Sequence, residues 1–66
     1  MIISKVTLID KEGVEKGAVI NMHHVENIVW EEKEGYSIVT YRRYSQMIKE
    51  KPYEILKNCE ELMVKN

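Results

Sequence analysis

A single cysteine, Cys59, stands in the whole chain of 66 residues. One thiol closes no disulfide within the chain, so a common support of small domains is excluded and a reducing compartment, the cytoplasm, is expected. Long apolar runs are missing as well. Met1-Ile2-Ile3 gives way at once to Ser4 and Lys5. No run reaches the about 7–15 residues of a signal-peptide core or the about 20 of a spanning helix. The chain therefore reads as a soluble protein that nothing exports and that inserts into no membrane. Positive charge is not in excess either: ten Lys and Arg face eleven Asp and Glu, for a net charge of −1. Phosphate neutralisation supplies most nucleic-acid affinity, so this balance weighs against such a partner, although a local patch stays open. Linkers, repeats and low-complexity tracts are absent, which leaves one globular domain over residues 1–66.

The groups that catalysis needs are also lacking. There is no Gly-rich phosphate loop, no Ser-His-Asp set and no His-x-x-x-His. Glu31-Glu32 and Glu60-Glu61 are paired carboxylates, but they fall in a loop and on a polar helix face. Acid–base work asks for two carboxylates in different environments, one of them desolvated. The adjacent His23 and His24 point apart on most backbones, and a zinc site asks for three or four spaced ligands. They read as a surface turn, with a pH-sensitive contact as the alternative. Cys59 falls on an apolar helical stripe almost two turns from the helix start, and reads as a buried structural thiol rather than a nucleophile. The expectation is no enzyme, no metal and no cofactor.

What is present is a run of β-forming segments. Met1 to Ile9 is rich in Ile, Val and Thr, with Ile2, Val6 and Leu8 on one face at period two. Asp10-Lys11-Glu12-Gly13 predicts a hairpin loop. A second strand, Val14 to Ile20, returns antiparallel with Gly17 as a candidate bulge. Asn21 to His24 is a turn, and Val25 to Glu31 a third strand ending in Trp30 and Glu31. Glu32-Lys33-Glu34-Gly35 repeats the first loop's chemistry. Tyr36 to Tyr41 is almost all β formers, and Arg42-Arg43 turns into a short strand from Tyr44 to Ile48. From Pro52 the period changes. Ile55, Leu56, Cys59, Leu62 and Met63 predict an amphipathic helix of about thirteen residues with Leu56 and Leu62 as core anchors. Glu50 and Glu54 suit the positive end of its dipole, Lys65 the negative end, and Glu61 and Lys65 an exposed ion pair.

One basic segment stands out: Tyr41-Arg42-Arg43-Tyr44, followed by Lys49 and Lys51. Arginine beside aromatics can grip phosphate and stack on bases. The same types are enriched at protein hot spots, and the segment is equally readable as an ordinary polar turn.

The order of elements resembles a known family. Ile20-Asn21-x-x-x-Val25-Glu26-x-Ile28, a hairpin, then Ile48-Lys49-Glu50 leading into Glu54-Ile55-Leu56 is similar to the small flagellar FlbD-type (SwrD-like) proteins. Met22 stands where those proteins often carry a Pro, and Arg42-Arg43 where they carry Asn-Gly. The likeness implies a cytoplasmic accessory protein of motility and supplies no catalytic residue. The strand–turn–strand pattern is also similar to the LytTR-type DNA-binding fold, which is longer and more basic.

The sequence thus predicts an α+β fold: a small antiparallel sheet of four to five strands with one C-terminal helix packed on one face. The function expected is a non-enzymatic binding or regulatory module acting through contacts with a protein partner or with itself as a homo-oligomer. Trp30, Tyr41, Arg42, Arg43 and Tyr44 are the partner-binding candidates. The alternative is a small nucleic-acid-binding domain using the segment from Tyr41 to Lys51.

Overall fold

Two hairpins, each closed by a glycine with positive φ, frame the sheet in a computed structural model that describes residues 1–63. Strand β1 (Ile2–Ile9) turns into β2 (Glu15–Asn21) through a loop in which the Asp10 carboxylate accepts from the amides of Glu12 and Val14, each at 2.9 Å. Gly13, at φ 82°, supplies the left-handed residue. A 3₁₀ turn, Met22–His24, leads to β3 (Asn27–Glu31), and Gly35 at φ 76° turns it into β4 (Tyr36–Thr40). Strand β5 (Ser45–Ile48), helix α1 (Pro52–Lys57) and strand β6 (Cys59–Glu61) follow.

The strands form an open antiparallel sheet in the order β2-β1-β5-β4-β3, and β6 also pairs with β1. Together with α1 this is the small α+β fold that the sequence predicts. Strand β1 carries the topology. One side of it runs the whole length of β2, while the other meets β5 at Leu8 and β6 at Ile2, Ile3 and Ser4. Between those two contacts the chain leaves the sheet to form α1. Ile55 of that helix is fully buried against Val6, Ile20, Val39, Tyr41 and Ile48, which is the core.

Polar groups fasten the crossing. Ser4 and Ser37 are both fully buried; the first donates to the Ile55 carbonyl at 2.7 Å and the second to the Glu50 carbonyl at 2.6 Å. The Glu50 carboxylate accepts from the Thr7 amide at 2.7 Å and the Thr7 hydroxyl at 2.8 Å, supplying the acceptor that a neighbouring strand would otherwise provide.

Five expectations are corrected. Gly17 makes no bulge, since β1 and β2 pair without interruption from Ile3 opposite Asn21 to Ile9 opposite Glu15. The C-terminal helix stops at Lys57, because Cys59–Glu61 is drawn out to pair with the unpartnered half of β1. Leu56 and Leu62 are accordingly no core anchors: they are 59% and 42% exposed, Met63 is exposed, and Ile55 alone of the stripe is fully buried. Cys59 is half-buried and its thiol donates to the Ile55 carbonyl at 3.4 Å. Glu54 does sit in the first turn, where it accepts from the Lys51 amide at 3.3 Å, but Glu50 is engaged with Thr7 instead. The predicted roles of Lys65 lie outside the described residues. Of the described helices, none is long and apolar enough to cross a membrane.

Among the described residues, the face opposite the core carries no helix. Val29, Ile38 and Met47 are direct cross-strand neighbours there. Ile9, one residue on from the Leu8–Ile48 pair, shares a groove with Met47 and Tyr36. Trp30 pairs with Ser37 and so belongs to the core side.

Candidate functional site

The turn between β4 and β5 is built by its own aromatics. The Tyr41 amide donates to the Tyr44 carbonyl at 2.8 Å, which leaves Arg42 and Arg43 as the two residues at the tip. The rings of Tyr41 and Tyr44 stack with centroids 4.7 Å apart and planes 27° from parallel. Tyr41 belongs to the core, and its hydroxyl donates to the Gln46 side chain at 2.6 Å. Burial, and then the neighbouring Tyr44, raise its pKa above the ordinary tyrosine value. Tyr44 is 61% exposed, so the pair has a fixed inner ring and an open outer one.

A second wall comes from the β2–β3 connection. Asn21 caps the 3₁₀ turn by accepting from the His23 amide at 3.0 Å, which places His23 and His24 at the surface. Val25 leads out of the turn, and the Glu26 amide donates to the Thr40 carbonyl at 2.8 Å, bringing Glu26 beside the end of β4. His23, His24 and Glu26 thereby face the four residues of the turn across a cleft of about 580 Å³.

Two arginines, two histidines and an open tyrosine ring thus line one cleft together with Glu26. Both arginines are exposed, and among the described residues neither forms an ion pair. The lysine ion pairs described are Lys5 with Glu60 and Lys49 with Glu15. The free donors of the cleft suit an anionic group, and Tyr44 offers it a flat apolar neighbour. No three His, Cys, Asp or Glu side chains come together to hold a metal among the described residues.

Comparison with protein-family models, curated proteins and solved structures found no match.

Four of the five predicted contact residues, Tyr41 to Tyr44, meet in this cleft. Trp30 does not. Its indole N–H donates to the Glu32 carboxylate at 2.7 Å, and the Lys51 ammonium lies 5.6 Å from its ring centroid. Lys49 and Lys51, the rest of the basic segment, are likewise turned elsewhere. Glu26 was not singled out by the sequence, and the two histidines, read there as a surface turn, are exposed on the 3₁₀ turn and line this cleft. The signal for Glu26 was the hairpin register: Asn27 pairs with Thr40, and the Glu26 amide donates to the Thr40 carbonyl.

Proposed function

We propose that this protein is a non-enzymatic binding module that acts through protein contacts, with the Tyr41–Tyr44 cleft as its main contact site. The observation that carries the reading is the pair of exposed arginines, in no ion pair among the described residues, beside the stacked tyrosines, side-chain types enriched at the hot spots of protein interfaces. The net charge of −1 supports a local anionic contact over a long phosphate track. The free thiol of Cys59 supports a reducing, cytoplasmic setting. The FlbD-type likeness supports a partner in bacterial motility, and loss of swimming on gene deletion is the check on that placement.

A second reading rests on the same stacked pair. Tyr44 with its flanking arginines could take a nucleotide base and phosphate. Electrophoretic mobility shifts with mixed-sequence DNA and RNA at low salt separate the two. Absence of binding is the expected result; micromolar binding that weakens steeply with salt would put nucleic acid first.

A further inference from the structure

We infer that the cleft between the 3₁₀ turn and the β4–β5 turn receives an extended acidic peptide segment of a partner protein, its carboxylates on Arg42 and Arg43 and an apolar side chain on Tyr44. This rests on the protein-contact reading and names the partner's chemistry.

Size comes first. A volume of about 580 Å³ lies within the usual range for small-ligand sites, about 300–1,000 Å³. It has room for a few side chains of a segment. Charge comes second. Arg42 and Arg43 make no ion pair among the described residues, while Glu26 is the one carboxylate on the cleft wall. A planar carboxylate meets the guanidinium fork in two parallel hydrogen bonds, which a single-point cation cannot offer. The histidines add donors on the opposite wall. Preorganisation comes third. The Tyr41 ring is held by the core and by Gln46, so the surface on which Tyr44 stacks exists before anything binds. A polynucleotide of several phosphates would need cations beyond the cleft, in a chain whose net charge is −1. A short acidic segment has no such need.

The probe is a five-residue synthetic peptide of glutamate and aspartate around one tyrosine, with amide chemical shifts of the labelled protein as the readout. Shifts should concentrate at residues 23–26 and 41–44, with the neutral glutamine–asparagine peptide binding at least tenfold more weakly. Arg42→Gln with Arg43→Gln should weaken the acidic peptide by tenfold or more at an unchanged melting temperature, and Glu26→Gln should strengthen it a few-fold. No shifts at millimolar acidic peptide, or equal binding of the neutral one, would overturn the inference. Single-stranded RNA or DNA shifting the same amides at lower concentration would overturn both this inference and the protein-contact reading. Silence from peptide and nucleic acid alike would remove only the acidic segment, leaving a protein contact of other chemistry.

Discussion

Where β5 ends, the edge of β1 turned away from β2 has no strand beside it at Thr7 among the described residues, and the two oxygens of Glu50 accept from the Thr7 amide and hydroxyl there instead. Glu50→Ala leaves a part-buried N–H without a partner and should cost about 1–3 kcal/mol, read by urea denaturation. Glu50→Gln should cost less, since its amide oxygen still accepts from the Thr7 N–H while its NH₂ donates to the hydroxyl oxygen. Ser4→Ala strips the buried Ile55 carbonyl of its hydroxyl donor and belongs in the same range. Tyr41 gives a pH signature. Its proton is held more tightly folded than unfolded, so the folded state binds more protons once the unfolded ring begins to ionise near pH about 10. Stability from this residue is complete below that pH and lost as pH rises through the raised value. Tyr41→Phe should therefore flatten the alkaline fall in urea midpoint relative to the parent. None of these roles shows in the sequence, where Ser4, Ser37 and Glu50 are ordinary polar residues. Their partners lie 51, 13 and 43 residues away.

The elements that were legible are those that local chemistry decides. Asp10 with Gly13 and the loop ending in Gly35 announce their hairpins, and the Arg42-Arg43 turn lies between two β-rich runs as expected. The helix was overextended because Leu56, Leu62 and Met63 continue a helical period that the tertiary structure overrides. Half of β1 needs hydrogen-bond partners, and drawing out Cys59–Glu61 supplies them. The candidate site was half legible for the same reason: the arginine turn is local, whereas Glu26 arrives through pairing of β3 with β4. At this scale two substitutions side by side separate the observed helix from the expected one. Ile55→Ala should cost about 2–5 kcal/mol, as loss of a fully buried branched side chain does. Leu56→Ala should stay within about 0.5 kcal/mol in the same thermal melts.

Across the whole molecule the sheet stays open, with β2 and β3 at its ends and the Val29, Ile38 and Met47 row on the face that α1 leaves uncovered. A second copy of the chain is a natural occupant of such a row, because a two-fold axis lays it antiparallel on itself. Light scattering should show mass rising with concentration in the micromolar-to-millimolar range, and Val29→Lys, at a half-exposed position, should hold the protein monomeric. A mass that stays monomeric in the parent over that range removes self-association. The pairing of β6 with β1 has another consequence. The Leu62 amide donates to the Met1 carbonyl at 2.7 Å, and the Met1 ammonium donates back to the Leu62 carbonyl at 3.2 Å. The two ends of the described chain are thus neighbours, and the fold is suited to circular permutation. A short linker joining them, with new ends opened in the 32–34 loop, would turn the most distant strand pair in the sequence into an adjacent one and hasten its closure.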